Sequence, residues 1–200
     1  MQALRRDDIL DRATYEAKRD EIRREVMAEK RHRRLAVGDH VTLLFETRKT
    51  LWYQVQEMIR AEEIADESGI EHELETYNEL MPGKADISAT MLIEYPDIEV
   101  RNQRLRELVG IHEHVWLELG EKRVLASFDQ RQMETERVSS VQFIRFDLGD
   151  LSPAGWRALA SEGKVSVVID HPHMRAKATI EGAVAAALAE DLEASAAPSA

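Results

Sequence analysis

Apolar residues recur every three or four positions in several stretches of the chain, which is the spacing of an amphipathic helix. The first stretch, residues 14–34, predicts a long N-terminal helix that Thr14 caps through its side-chain oxygen. The same spacing predicts further helices over residues 47–65, 70–81, 98–108 and 152–162. The alanine-rich stretch after Gly182 favours one more helix at the C-terminal end.

Shorter runs rich in β-branched and apolar residues predict strands. They cover residues 41–45, 87–95, 112–119, 123–128, 138–146, 165–169 and 175–180. Only residues 120–122 separate the third run from the fourth, a spacing typical of an antiparallel hairpin. Strands do not alternate one for one with helices, so a doubly wound parallel sheet is disfavoured. The sequence predicts an α+β fold, with a mostly antiparallel sheet of about six or seven strands and helices packed against it.

The order of these elements predicts one principal domain with an addition at each end. Residues 1–36 form an N-terminal helical extension in this prediction, and residues 37–182 form the α+β core domain. Residues 183–200 are predicted to be an alanine-rich helix followed by a disordered tail. Residues 129–137 are charged and lack a clear period, and are predicted to form a loop.

The composition excludes several kinds of site. The chain has no cysteine, which rules out disulfides, thiolate zinc sites, cysteine-ligated iron–sulfur clusters and a cysteine nucleophile. The formal net charge of −11 argues against nucleic acid as a partner, because phosphate binding needs a basic surface. Motifs typical of serine hydrolases, P-loop proteins, dinucleotide-binding domains and zincins are absent.

A basic run at residues 30–34 stands out from this acidic background and allows two interpretations. It is either a patch for an acidic partner or a set of cations that offset the dipole at a helix C-terminus. The chain also has no apolar run of membrane-spanning length and no apolar leader at its start. A cytoplasmic protein without a membrane span is therefore predicted.

Several short stretches together carry a resemblance to a known family. They are residues 43–46, 54–62, 73–78, 87–90, 110–117 and 170–172. In combination, over about residues 5–180, they resemble the DUF3501 family of bacterial proteins. The family pattern often has an acidic residue at the position of His112 and an aromatic residue at that of His173. The resemblance implies a compact domain of unknown function, with rubrerythrin-like or iron–sulfur oxidoreductase proteins as partners in a redox or oxidative-stress setting.

One candidate metal site follows from the predicted strand over residues 112–119. Alternate side chains of a strand point to the same face. The residues that share this face are His112, His114, Trp116 and Glu118. Two imidazoles and a carboxylate form the ligand set that suits ferrous iron or zinc, and the turn after Asp170 offers His171 as a fourth ligand. The alternative is a polar sheet face whose histidines are hydrogen-bonded or solvated.

Two functional hypotheses result. The first is an accessory protein that binds a partner within a redox or oxidative-stress system. The second is a mononuclear metal-binding protein or metalloenzyme that uses His112, His114, Glu118 and His171.

Overall fold

The computed structural model of the chain describes residues 2–129 and 136–196. The helices in these ranges are α1 (Arg12–Arg31), α2 (Arg48–Ala61), α3 (Glu67–Asn78), α4 (Ile98–Glu107), α5 (Pro153–Ser161) and α6 (Gly182–Ala196). The strands are β1 (Arg34–Val37), β2 (Val41–Phe45), β3 (Asp86–Ile93), β4 (Val115–Leu119), β5 (Lys122–Leu125), β6 (Ser127–Phe128), β7 (Val141–Asp147), β8 (Val165–His171) and β9 (Met174–Thr179). Short 3₁₀ turns span Arg6–Asp8 and Ile111–Glu113.

The described strands form two antiparallel sheets. The first sheet has five strands in the order β1-β2-β3-β7-β6, and the second has four in the order β5-β4-β8-β9. The predicted α+β class is confirmed, but the strands divide between two sheets instead of forming one of six or seven. The predicted hairpin is also present, with Leu119 paired to Lys122 across its turn.

The two sheets meet along two seams that differ in kind. At one seam β5 and β6 are separated only by Ala126, so a single stretch of chain leaves the second sheet and enters the first. At the other seam β1 and β9 lie side by side without pairing. Gly38 (φ 68°) follows β1 there, and a side chain at this position would come within 3.0 Å of the Ala176 Cβ. The backbones therefore approach closely at the second seam.

The main core lies between the sheets, because its largest cluster of buried apolar residues draws on the inner faces of both. Phe45 and Met91 come from the first sheet, and Leu117 and Val167 from the second. Trp156 of α5 is also fully buried in this cluster, and its indole N–H donates to a carbonyl of α6 at 3.1 Å. Each such side chain contributes about 1.5–3 kcal/mol through burial.

A smaller cluster covers the other side of the first sheet. It joins Leu51 and Val55 of α2, Ile70 and Leu74 of α3, and Leu4 of the N-terminal segment. The Leu4 backbone is tied to the Asn78 side chain by two hydrogen bonds of 2.7 and 2.9 Å. Residues near the N-terminus therefore pack against α2 and α3.

Several predicted boundaries were wrong at the ends of elements. The first helix is capped by Asp11, whose carboxylate accepts the Thr14 N–H at 2.9 Å, so Thr14 is not the cap. That helix ends at Arg31 and the chain turns directly into β1, which the helical pattern had hidden. The predicted strand over residues 112–119 begins only at Val115. Residues 130–135 of the predicted loop and 197–200 of the predicted tail lie outside the described residues.

Candidate functional site

The outer face of the second sheet carries the side chains that the sequence marked for metal binding. The inner positions of β4 and β8 are buried in the core, whereas most of the alternate positions of β4, β8 and β9 are open or half-buried. We call this surface the His114 face, and it consists of His114, Trp116, Glu118, Arg123, Asp170, Arg175 and Lys177. Strand register places Trp116 beside Val168, and Asp170 beside Arg175. A shallow concavity of about 790 Å³ is lined by His114, Trp116, Asp170, Arg175 and Lys177 of this face.

Asp170 organises the His114 face. One of its oxygens lies 3.1 Å from the His114 Nδ1 and accepts the Trp116 indole N–H at 3.1 Å. The other oxygen accepts from the Arg123 guanidinium at 3.2 Å. That guanidinium also stacks over the Trp116 ring, 4.7 Å from its centroid. Desolvation raises the pKa of Asp170, but the hydrogen bonds from His114, Trp116 and Arg123 outweigh it and hold that pKa below its usual value.

The contact with Asp170 fixes the tautomer of His114. A carboxylate can only accept, so the neutral imidazole carries its proton on Nδ1 and its lone pair on Nε2. Among the described residues, no hydrogen-bond partner of Nε2 is found, and the side chain is one-third exposed. His114 therefore presents a basic nitrogen at the surface in a fixed orientation.

His171 comes close to His114, as the prediction required, but its nitrogens are both engaged. The two rings meet edge to face with centroids 5.1 Å apart. The Nδ1 of His171 accepts the His173 N–H at 3.2 Å, so Nε2 carries the proton and donates to the Val109 carbonyl at 3.2 Å. Burial, aided by the charges of the neighbouring histidines, lowers the pKa of His171. This histidine is a buried, neutral part of the structure.

The other two predicted ligands, His112 and Glu118, make contacts elsewhere and do not complete a metal site with His114 and His171. His112 lies in the 3₁₀ turn and not on the strand, with its ring edge to face with Phe128. Glu118 accepts a 2.6 Å bond from the Lys177 ammonium and lies 3.5 Å from Arg123. In the part of the chain that the structure describes, no group of three or more potential ligands is arranged to hold a metal ion. The metal site stays a prediction.

A second polar site, which sequence reasoning missed, lies on the outer side of the first sheet. Glu46 directly follows β2 and is only 2% exposed. Its carboxylate accepts from the hydroxyls of Thr50 and of Thr90 (2.6 Å) and from the Gln54 amide at 3.2 Å. Burial raises the pKa of Glu46 against the opposing effect of these donors. The signal in the sequence was an acidic residue at the end of an apolar strand, within one of the stretches that resemble the family.

The basic run at residues 30–34 turns partly inward. The Arg33 guanidinium forms a two-pronged ion pair with Asp191 of α6, and both side chains are largely buried. The Lys30 ammonium lies over the Tyr53 ring, 5.6 Å from its centroid, and burial lowers its pKa. At least these two cations serve contacts within the protein.

None of the described helices combines the length and apolar character needed to cross a membrane.

The comparisons with known proteins agree on family and fold. A family model described as "Protein of unknown function (DUF3501)" matches residues 3–192, which confirms the resemblance predicted from sequence. The chain is also similar to a crystal structure of a protein of unknown function from Burkholderia pseudomallei, at 38% sequence identity and a TM-score of 0.86. That match covers 96% of this chain and 100% of the other. No curated protein matches the chain.

Proposed function

Because the chain belongs to the DUF3501 family, which is described only as proteins of unknown function, we propose a function from the site itself: an accessory protein that binds a protein partner through the His114 face. The observation that carries the proposal is the fixed cluster of Trp116, Arg123 and His114 around Asp170 on an uncovered sheet face.

The composition of this cluster is that of an interface centre. Tryptophan and arginine are enriched among the residues that supply most of the binding energy at protein interfaces. Here Asp170 holds the Trp116 indole N–H, and the Arg123 guanidinium covers the ring at 4.7 Å. Side chains already fixed in this way lose little conformational entropy on binding. A partner can therefore gain the contact energy at small entropic cost.

The charge balance of the surface supports the same conclusion. The concavity and its rim carry Arg123, Arg175 and Lys177 against Glu113, Glu118 and Asp170, a formal balance of zero. The whole chain carries −11, so the charge excess lies elsewhere and this face adds no net repulsion toward another acidic protein. Among the described residues, Arg175 has no ion-pair partner. We propose that the partner places a carboxylate against Arg175 and an apolar side chain against Trp116.

The family resemblance suggests where to look for the partner. Rubrerythrin-like and iron–sulfur oxidoreductase proteins are the first candidates, which would give the protein a role in a redox or oxidative-stress system.

Affinity purification at native expression tests this proposal. We expect the wild-type chain to recover one specific protein, and Arg175→Glu to recover at least tenfold less of it because the charge at the contact is reversed. Arg24→Glu is the matched control, because this substitution makes the same change of charge at an exposed position of α1. Recovery of no specific protein, or equal recovery by the Arg175 and Arg24 variants, would contradict the proposal.

Metal binding is a second candidate function, and a specific contact favours it. Metal-ligating histidines usually donate their second ring nitrogen to a carboxylate or carbonyl, as His114 does to Asp170. His114 Nε2 would then be the ligand, while His171 lacks a free nitrogen. Iron, zinc, manganese and nickel should be quantified in protein purified from metal-replete medium. A near-stoichiometric metal that is lost in His114→Ala supports this function, and absence of metal under every loading condition eliminates it.

A further inference from the structure

A cavity of about 180 Å³ lies on the outer side of the first sheet, away from the His114 face. It is bounded by β3, β6 and β7 and by the turn that follows α3. Its wall includes Glu46, Ser88 and Arg145, together with two further acidic residues, Glu79 and Asp129. A cavity needs roughly 10–15 Å³ of such volume to hold one water, so this cavity is many times larger than a single water requires. The cavity thus has room for a small organic molecule.

Glu46 is a carboxyl group in the wall of this cavity without an ion-pair partner among the described residues. Its hydrogen-bond donors are neutral: the hydroxyls of Thr50 and Thr90 and the amide of Gln54. The charge of Lys30 favours the ionised form of Glu46, but Lys30 does not contact Glu46, because its ammonium lies over the Tyr53 ring. Burial of a carboxylate that no cation contacts is unfavourable.

Arg145 shares the wall but does not neutralise Glu46. Its guanidinium donates to the Asp86 carboxylate at 2.8 Å and to the carbonyls of Glu79 and Met81 at 2.7 and 3.1 Å. Its charge is therefore balanced by Asp86. Glu46 therefore remains a carboxyl group in the cavity wall that no cation among the described residues pairs with.

We infer that this cavity binds a small organic ammonium ion, with Glu46 as the counter-ion. Oε1 of Glu46 already accepts two hydrogen bonds, whereas Oε2 accepts one, from Thr50, and keeps capacity for an ammonium N–H. Phe143 in the same wall shares its face of β7 with Arg145 and offers apolar surface for the carbon atoms. The ammonium group belongs either to a free amine or to the lysine side chain of a peptide.

Isothermal titration with n-butylammonium chloride tests the inference, with n-butanol as the uncharged probe of similar size. We expect the ammonium ion to bind and the alcohol to bind at least tenfold more weakly. Glu46→Gln keeps the size of the side chain and one accepting oxygen for Thr90, while its NH2 group faces the Thr50 hydroxyl, which can donate to the Thr47 carbonyl at 3.1 Å instead. The variant should weaken ammonium binding at least tenfold. Equal binding of the two probes, no binding of the ammonium ion, or unchanged binding by Glu46→Gln would overturn the inference.

An NMR titration of the wild-type chain supplies an independent readout if the variant does not fold. The amide resonances of Ser88 and Phe128 should shift on addition of n-butylammonium, and those of Trp116 and Asp170 should not. Shifts confined to other parts of the chain would refute the cavity as the site. A lysine-containing tripeptide separates the two sources: tighter binding than butylammonium identifies a peptide side chain, and weaker binding identifies a free amine.

Discussion

The ion pair between Arg33 and Asp191 joins the turn between α1 and β1 to α6 and should contribute strongly to stability. The guanidinium and carboxylate meet through two contacts, one of them 3.0 Å long. The two side chains are only 10% and 17% exposed. Burial raises the pKa of Asp191, and the contact with Arg33 opposes that rise. Replacing Arg33 by methionine would leave a buried carboxylate without its cation.

Removal of one partner from a buried ion pair typically costs about 3–5 kcal/mol. A domain of 150–250 residues loses about 2–4 °C in Tm for each kcal/mol, so Arg33→Met should lower Tm by about 6–20 °C. The double variant Arg33→Met/Asp191→Leu removes both charges of this pair and fills the space with apolar groups. Glu29, which lies 3.4 Å from the Arg33 Nε, loses that contact but still accepts from the Thr47 hydroxyl at 2.8 Å. Because such replacements are often neutral or stabilising, we expect it to recover most of the loss.

Urea unfolding followed by circular dichroism measures these free energies. The matched control is Arg157→Met, which breaks an ion pair with Glu193 on the same helix, where the side chains are 47% and 51% exposed. An exposed pair contributes about 0–1 kcal/mol, so the control should remain close to wild type. Equal losses in Arg33→Met and Arg157→Met, or a double variant no more stable than Arg33→Met, would refute the reasoning.

Three further predictions address Glu46, Gly110 and Asp170. Burial raises the pKa of Glu46 in the folded state. The raised pKa therefore stabilises the folded protein fully at pH values below the unfolded-state pKa of about 4.3, and this stabilisation is lost as the pH rises through the folded-state pKa. Urea unfolding should therefore show Glu46→Gln gaining stability over wild type as pH rises; a constant difference would contradict this. Gly110→Ala should cost about 1–2 kcal/mol in the same assay, because φ is 92° with no clash nearby; a neutral effect would argue against that backbone. Asp170→Leu removes the carboxylate that accepts from Nδ1, so the His114 ring should shift toward the Nε2–H tautomer, seen in its ¹⁵N chemical shifts; an unchanged spectrum would show that Asp170 does not set the tautomer.

The parts of the fold that depend on local pattern were accessible from the sequence. The amphipathic stripe predicted a helix over residues 47–65, and α2 spans Arg48–Ala61 within it. The hairpin was also predictable, since its turn is encoded within three residues. The alternation that begins at His112 predicted a strand start that was wrong, because the left-handed backbone at Gly110 is followed by a 3₁₀ turn before the strand. Alternation indicates which residues share a face, but not where the backbone becomes extended.

The candidate sites depended on contacts between distant parts of the chain. Glu46 is buried in part by Thr90, 44 residues away, so its sequence neighbours do not reveal its environment. The Val109 carbonyl that engages His171 is 62 residues from it, and that contact decides whether the imidazole is available to a metal. Sequence proximity brought His112, His114 and Glu118 into one hypothesis, whereas Asp170 became the centre of the face only through strand pairing.

The unequal seams of the sandwich determine how it can open. At Ala126 a continuous stretch of backbone connects β5 of the second sheet to β6 of the first. At the other seam β1 and β9 are in contact but share no strand pairing. Partial separation of the sheets therefore begins at the β1–β9 edge and pivots about Ala126. Hydrogen exchange should detect this as faster opening of β1 and β9 than of β4. Arg123 and Phe128 lie beside the pivot and should keep their places longest, whereas Arg175 and Lys177 of the His114 face lie on β9 and should separate first.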